Sequence, residues 1–252
     1  MTCPNVHVSL ASWPGLRHDQ AAQHLASEVV EPLFGRLCTD HVQLVPQSFG
    51  VLTEAVVDNL MAAFPGVRFR LHANVRVLPE HQLADLSGYV AHRRWFRQAA
   101  RINQRLAAPA YTAHAGLRRD ATMAGMLDHA RRCADLFGCV VGVEGQCPAD
   151  GDPWLVSHWP EYRQLFESGV PYAIDLSHLH ILACHSGIHD DALVRDMLTC
   201  NRCIEVHVSA NDGRGDWHQV CQQPSWWWPL LQHINPNAAV FSEGNHRRKR
   251  TS

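Results

Sequence analysis

The chain has 252 residues, of which 46% are hydrophobic, and a formal net charge of −2 with a pI near 6.8. This length and this apolar content suffice for one large core. Because the charge balance gives no overall cationic field, nucleic acid is unlikely as an obligate partner. The single lysine is Lys249 near the C-terminus, so no predicted strand carries the amine that a Schiff-base aldolase needs.

Eight short apolar runs follow one another along the chain, and each is predicted to be a buried strand. They cover residues 6–10, 42–46, 67–73, 110–116, 139–145, 171–177, 203–209 and 238–244. Helical apolar spacing between them predicts helices at 20–34, 52–64, 89–106, 121–137, 161–168, 191–199 and 226–234. This alternation predicts the α/β class and a single (β/α)8 TIM barrel over residues 1–246, with its active site at the C-terminal rim and a basic, disordered tail at 247–252.

The last four predicted strands each end with a side chain that binds metals well. These side chains are Glu144, Asp175, His207 and Glu243. Three carboxylates and one imidazole can hold one divalent ion or share two, and the imidazole favours zinc, iron or manganese over magnesium or calcium. The alternative is that each acid caps a helix or pairs with a cation, which is harder to accept for four consecutive strands.

Five further residues extend this set. His72 and His114 end the third and fourth predicted strands, and His178 follows Asp175 by three positions. Asp216 and His218 lie in the loop after the seventh strand, where period-2 spacing directs both side chains the same way. With His178 they can hold a third ion, although Asp216 also fits a plain turn position in a segment rich in turn formers.

Other conspicuous residues are interpreted more simply. Arg214 is a candidate to reach over the site to a phosphate or carboxylate of the substrate, with a solvated loop arginine as the alternative. The three tryptophans at 226–228 are expected to pack into the core, and a partner or substrate platform is the second interpretation. His180, His185 and His189 are expected at the surface or behind the metal ligands.

The cysteines and the N-terminus bear on location. Cys200 and Cys203 form a CxxC pair without a second pair nearby, so packing is favoured over a zinc or redox role. The N-terminal segment lacks the charged and apolar regions of a secretion signal. A cytoplasmic location is therefore expected, with the nine cysteines reduced, and no apolar run is long enough to cross a membrane.

With these residues in view, the chain resembles the xylose-isomerase-like TIM-barrel superfamily over essentially its full length. That superfamily includes endonuclease IV, sugar isomerases and epimerases, and multinuclear non-haem iron oxidative enzymes. Its shared acid, acid, histidine, acid series is matched by Glu144, Asp175, His207 and Glu243. The additional histidines and the Asp-x-His of the endonuclease IV pattern are matched by His72, His114, His178, Asp216 and His218.

The resemblance implies a distribution of ligands over three ions. Glu144 bridges; His72 and His114 bind one metal; Asp175, His207 and Glu243 bind the second; and His178, Asp216 and His218 bind the third. Two or three divalent ions are therefore expected, with iron favoured and zinc or manganese as alternatives.

The resemblance leaves three reactions open. The sequence around these residues differs from that usual in endonuclease IV, and the loops lack the alternating basic and aromatic residues that bind DNA. The extra imidazoles are more than a single-metal sugar epimerase needs. The favoured function is therefore iron-dependent oxidative modification of a peptide or small molecule, ahead of sugar or sugar-phosphate isomerisation or epimerisation and of phosphoester hydrolysis. Glu144, Glu243 and Arg214 are the candidate catalytic residues.

Overall fold

The computed structural model describes residues 4–80 and 82–247. Within them, eight parallel strands form one sheet that curves into a nearly closed barrel. With a separate hairpin of β2 and β3, the described chain has ten strands: β1 (Val6–Ser9), β2 (Val30–Glu31), β3 (Gly35–Arg36), β4 (Cys38–Leu44), β5 (Arg68–Leu71), β6 (Ala110–His114), β7 (Val140–Glu144), β8 (Tyr172–Asp175), β9 (Cys203–Val208) and β10 (Ala239–Ser242). The sheet order is β5-β4-β1-β10-β9-β8-β7-β6, and β5 and β6 lie beside each other where the barrel nearly closes.

This architecture is a single (β/α)8 TIM barrel and confirms the predicted fold class. Each of the eight predicted strand regions overlaps a barrel strand, although β4 begins at Cys38, four residues before the predicted region 42–46. The predicted tail at 247–252 lies outside the described residues except for Arg247, and its disorder stays a prediction.

The helices pack around the barrel. They are α1 (His18–Ala22), α2 (Glu54–Ala63), α3 (Arg93–Arg105), α4 (Met123–Phe137), α5 (Trp159–Glu167), α6 (Leu176–Ser186) and α7 (Asp191–Thr199). Side-chain hydrogen bonds define the start of two helices. The hydroxyl oxygens of Thr53 and Thr122 accept hydrogen bonds from backbone N–H groups in the first turns of α2 and α4. Gly138 ends α4 in a left-handed conformation with φ 67°.

The predicted helix at 20–34 is wrong beyond its first turns. The chain forms the short α1, a 3-10 turn at Gln23–Ala26, and then an antiparallel hairpin of β2 and β3. Pro32 explains the change because it lacks an N–H and disfavours helical backbone at the residue before it. Gly35, with φ 70°, supplies the turn.

The predicted helix at 226–234 is likewise replaced, by a 3-10 helix at Trp228–His233. Its N–H groups donate three residues back, as from Leu230 to Trp227 and from Ile234 to Leu231. Pro229 provides no N–H in this segment, which prevents regular α-helical bonding. The helix predicted to begin at residue 89 begins at Arg93, after a 3-10 turn at Leu86–Gly88.

One face of the sheet packs into the apolar core of the domain, and the other face encloses the barrel interior. Val8, Val42 and Val206 belong to the apolar core of the domain and are fully buried. The barrel interior is polar at mid-height, where Gln43 of β4 donates to Glu205 of β9 across the barrel. The carboxyl ends of all eight strands point to one end of this barrel, where the parallel arrangement gathers residues that are distant in sequence. No helix in the described part of the chain is long and apolar enough to span a bilayer.

Candidate metal centre

The structure brings the nine predicted ligands together at the C-terminal end of the barrel. His114, Glu144 and Asp175 are the last residues of β6, β7 and β8. His72 directly follows β5, His207 is the penultimate residue of β9, and Glu243 directly follows β10. The remaining three, His178, Asp216 and His218, approach from α6 and from the loop after β9. Their role as ligands stays a prediction.

Glu144 occupies the middle of the cluster. Its Oε2 lies 3.2 Å from Nε2 of His72 and 3.9 Å from Nε2 of His114. Its Oε1 lies 3.2 Å from Nδ1 of His207. Because the two oxygens face different imidazoles, Glu144 has the geometry of a carboxylate that bridges two ions.

Within this cluster, three groups of donor atoms are compact enough to hold an ion, with all atoms of a group within 4.8 Å of one another. The groups are His72, His114 and Glu144; His72, His207 and Glu243; and Glu144, Asp175 and His178. The first agrees with the distribution that the resemblance implied. The other two differ, because His72 takes the place of Asp175 beside His207 and Glu243, and Asp175 is grouped with His178 and Glu144.

Asp175 also caps the N-terminus of α6, which accounts for its position. Its Oδ1 accepts the backbone N–H of Ser177 at 2.6 Å and of His178 at 3.3 Å, and so caps α6. Its Oδ2 lies 3.4 Å from Nε2 of His178. The helix-cap interpretation therefore holds for one oxygen, and the other oxygen is directed to the cluster.

The loop after β9 completes the cluster on one side. Asp216 Oδ2 lies 2.8 Å from Nε2 of His218 and 3.5 Å from Nε2 of His178. His218 Nδ1 lies 3.5 Å from Glu243 Oε2. We call residues 209–218 the rim loop. Its two candidate ligands retain about a quarter of their side-chain exposure, whereas that of Glu144 is 1%.

Charges in this cluster strongly perturb one another. Burial favours the neutral form of Glu144, but the facing imidazoles of His207, His72 and His114 hold its pKa well below the ordinary value. Burial likewise opposes protonation of His207, yet Glu144 and Glu243 raise its pKa well above the ordinary value. In the absence of an ion, protons on the imidazoles balance the buried carboxylates. A divalent cation can take over this balancing charge.

The donor chemistry fits such an ion. Four carboxylates and five imidazoles suit zinc, iron or manganese. Oε2 of Glu144 is buried and, within the described chain, has no hydrogen-bond partner of good geometry even though two imidazole nitrogens surround it. Buried carboxylate oxygens normally have such partners. A metal ion between Glu144, His72 and His114 would satisfy this one.

A set of buried polar side chains beneath the cluster was not predicted from the sequence. We call Ser9, Gln43, Arg70 and Glu205 the floor network. Glu205 Oε2 lies 2.6 Å from Nη2 of Arg70, and its Oε1 accepts from Gln43 at 2.8 Å. Ser9 in turn donates to Gln43. Two ligands sit directly above, because Arg70 and Glu205 precede His72 and His207 by two residues, the period of side chains on one strand face.

The floor network orients His207. Glu205 Oε1 lies 2.6 Å from Nε2 of His207, and an anionic acceptor at this distance favours the proton on that nitrogen. Nδ1 is then the nitrogen presented to Glu144 and Glu243. Carboxylates that orient metal-binding histidines in this way tune both geometry and affinity.

Other histidines are oriented by the loops. Nδ1 of His178 lies 3.0 Å from the carbonyl oxygen of Gly145, so Nδ1 is the donor and Nε2 faces the cluster. Nδ1 of His114 lies 3.4 Å from Asp85 Oδ1, and Asn74 donates to the same oxygen. Asp85 gave no sequence signal because it lies far from any predicted strand end.

The other conspicuous residues of the sequence, including the candidate catalytic residue Arg214, fall outside the cluster. Trp227 is 1% exposed, and Trp228 packs against Phe34, which supports the packing interpretation of the tryptophans. His185 and His189 are exposed, as expected. Arg214 is exposed in the rim loop, where its backbone N–H donates to Asp212.

The fold is a TIM barrel that solved structures share. No family model matches the chain, and no curated protein matches it. A D-tagatose 3-epimerase-like protein superposes with a TM-score of 0.65 and 15% identity, over 97% of this chain and 91% of that chain. An AP endonuclease, family 2, from Brucella melitensis has a TM-score of 0.63 and 15% identity, over 98% of this chain and 95% of that chain.

A D-psicose 3-epimerase from Clostridium cellulolyticum H10, solved with D-tagatose, has a TM-score of 0.64 and 12% identity, over 98% of this chain and 87% of that chain. At these identities the likeness is one of fold. The structural neighbours are xylose-isomerase-like TIM-barrel proteins, as the resemblance in the sequence predicted.

Proposed function

We propose that this chain is a divalent-metal-dependent isomerase or epimerase of a small polyhydroxylated carbonyl compound. Glu144, Asp175, His207 and Glu243 would hold the ion. The neighbours named above include two sugar 3-epimerases by description, whereas none of the three is described as an iron-dependent oxidative enzyme. The oxidative function that the sequence favoured has no support in these comparisons.

The observation that carries the proposal is the placement of two buried carboxylates around one space. Nε2 of His72 lies 3.2 Å from Glu144 and 3.8 Å from Glu243. Nδ1 of His207 lies 3.2 Å from Glu144 and 4.0 Å from Glu243. Both carboxylates are at most 4% exposed. Paired carboxylates in a dry site suit proton removal and return at a carbon atom.

In this proposal, two side chains of the protein transfer the proton. A bound divalent ion would polarise the carbonyl oxygen of the substrate. Glu144, whose pKa the surrounding imidazoles hold well below the ordinary value, is ionised and takes the proton from the carbon beside the carbonyl. The Glu243 carboxyl returns a proton to the neighbouring carbon or to the opposite face. Burial excludes water and strengthens these interactions.

Phosphoester hydrolysis is the second candidate, and one observation favours it. Two further donor groups, one with His72 and His114 and one with Asp175 and His178, share Glu144. A single-metal isomerase gives His72, His114 and His178 no role. Ions close together can activate water and stabilise a leaving oxygen, and one neighbour is described as an AP endonuclease, family 2.

Metal content of protein purified without chelators, compared with a His72→Ala/His114→Ala variant, separates the candidates. The isomerase predicts one ion per chain at the candidate metal centre, unchanged in the variant, and solvent deuterium incorporated into a ketose substrate. Product formation should disappear in Glu243→Gln, because the returning carboxyl is removed, whereas Glu144 can still exchange the proton that it takes with solvent. The hydrolase predicts two or three zinc ions, falling in the variant, with oxygen-independent phosphodiesterase activity.

The exposed histidines of the α6 region provide a matched control. His185→Ala/His189→Ala removes two imidazoles outside the cluster and should leave metal content and activity unchanged. Isomerisation that survives in Glu243→Gln would refute the proposed proton transfer. Iron at two or three per chain with oxygen consumption would instead restore the oxidative function.

A further inference from the structure

A second cluster of metal-binding side chains lies at the opposite end of the barrel. His7 is on β1, and Cys38 and Asp40 are at the start of β4. One nitrogen of His7, the sulfur of Cys38 and a carboxylate oxygen of Asp40 all lie within 4.8 Å of one another. Nδ1 of His7 is 3.1 Å from Oδ1 of Asp40. None of these residues belongs to the candidate metal centre.

An irregularity in the sheet brings these residues together. His7 is paired with Cys38, and Ser9 is paired with Gln43, so two steps along β1 correspond to five along β4. The extra residues of β4 leave the ladder and place Asp40 beside His7. Irregularities of this kind redirect side chains and recur near functional sites.

Two buried imidazole nitrogens at this end make no hydrogen bond of good geometry among residues 4–80 and 82–247. They are Nδ1 of His7, which faces Asp40 Oδ1 at 3.1 Å, and Nε2 of His41. The two rings contact each other edge to face, with centroids 5.6 Å apart. Buried polar atoms in folded proteins are normally satisfied, whereas the His7 nitrogen that faces Asp40 carries a lone pair or a proton that the described contacts do not satisfy with good geometry.

We propose that His7, Cys38 and Asp40 form a second metal site that takes a thiophilic divalent ion such as Zn²⁺ or Co²⁺. Thiolate, imidazole and carboxylate are the ligand types that zinc uses in tetrahedral sites. The site is accessible, because the Asp40 side chain is 66% exposed, and a solvent molecule would fill the fourth position. Binding releases the thiol proton of Cys38 to solvent.

Charge and position agree with this assignment. Arg68 and Arg70 act electrostatically on His7, which disfavours a cation unless anionic ligands accompany it. The Cys38 thiolate and the Asp40 carboxylate supply two negative charges and neutralise a divalent ion. The ion would join β1 to β4 at the point where their ladder is interrupted. This site is independent of the proposed function of the rim.

Cobalt titration of the metal-free protein tests the site, because thiolate ligation of Co²⁺ produces a charge-transfer absorption in the near ultraviolet that nitrogen and oxygen ligands do not. The wild type should show this band, and Cys38→Ser should lose it together with one bound ion per chain. Cys147, which interacts electrostatically with His178 of the candidate metal centre, provides the matched control. Cys147→Ser should retain the band.

A variant with little risk to folding completes the test. Asp40→Asn changes a mostly exposed side chain and should weaken cobalt binding at this site roughly tenfold or more, since even the loss of an outer partner costs about 10- to 100-fold in metal affinity. A wild type without the band, a band that survives in Cys38→Ser, or an unchanged affinity in Asp40→Asn would each overturn the proposal.

Discussion

The floor network and the rim loop support the same cluster by different means. The floor network consists of side chains from four strands, and Arg70 and Glu205 form its ion pair at 2% and 0% exposure. The rim loop is held by local turns, such as Asn211 accepting from Gly213 and donating to Ser177. His218 in this loop adopts a left-handed φ of 47°, which costs energy in a non-glycine residue.

This contrast separates two properties of the protein. A buried ion pair that spans the barrel connects ligand geometry with global stability, because removing one partner leaves a charge without compensation. A partly exposed loop can rearrange or lose a side chain with little effect on the core. We therefore expect the floor network to affect both folding and metal affinity. We expect the rim loop to affect what binds beside His178 and to contribute to stability only through the charge of His218.

The largest expected effect follows from Glu205→Ala. Arg70 would be left buried without its partner, and we expect a loss of about 3–5 kcal/mol in the free energy of unfolding. His207 would also lose the carboxylate that orients it, which should weaken metal binding about 10- to 100-fold. Urea unfolding and metal titration measure the two effects.

The double variant Arg70→Met/Glu205→Leu sharpens this test. It removes both charges, so much of the lost stability should return, as for other buried ion pairs replaced by apolar residues. Metal affinity should remain low because His207 still lacks its partner. Equal stability of the wild type and Glu205→Ala would show that the floor network does not stabilise the fold.

A smaller effect is expected from pH in the metal-free protein. Burial favours protonation of Glu205, but Arg70 and His207 lower its pKa from 4.5 to about 2. Its stabilising contribution, about 3 kcal/mol, is therefore complete above pH 4.5 and is lost as the pH falls towards 2. Burial opposes protonation of His218, but Asp216 and Glu243 raise its pKa from 6.5 to about 9.

The contribution of His218, again about 3 kcal/mol at most, is thus complete below pH 6.5 and is lost as the pH rises through 9. The two supports should weaken at opposite ends of the pH range. Unfolding free energies measured from pH 2 to 10 test this. Glu205→Gln should reduce the loss of unfolding free energy at acid pH relative to the wild type. His218→Gln should reduce the loss at alkaline pH. An alkaline limb that is identical in His218→Gln would contradict the assignment.

The sequence predicted the barrel and the residues at its rim because both depend on local patterns. Apolar runs that end in Glu144 or Asp175 identify strand ends, and parallel strands gather their carboxyl ends in one place. The hairpin of β2 and β3 was missed because apolar spacing outweighed Pro32. The sequence contained the correct signal there, but the helical period was given more weight.

The floor network could not be predicted in the same way. Arg70 and Glu205 each precede a histidine by two residues, which marks a shared strand face but not a partner. Their pairing depends on which strands lie opposite each other once the barrel closes, and no short-range pattern contains that information. The same holds for Asp85, whose contact with His114 is made by a loop.

The smallest expected effect comes from Arg214→Ala in the rim loop. Because Arg214 is exposed, the free energy of unfolding should change by less than about 0.5 kcal/mol, and metal content should stay constant. A role at the substrate predicts a higher KM in Arg214→Ala that Arg214→Lys only partly restores, since a lysine cannot reproduce bidentate contacts to a carboxylate or phosphate. An unchanged KM would leave Arg214 as a solvated loop residue. A fall in stability or in metal content would instead show that the rim loop contributes to the core, and the separation between the two supports would no longer hold.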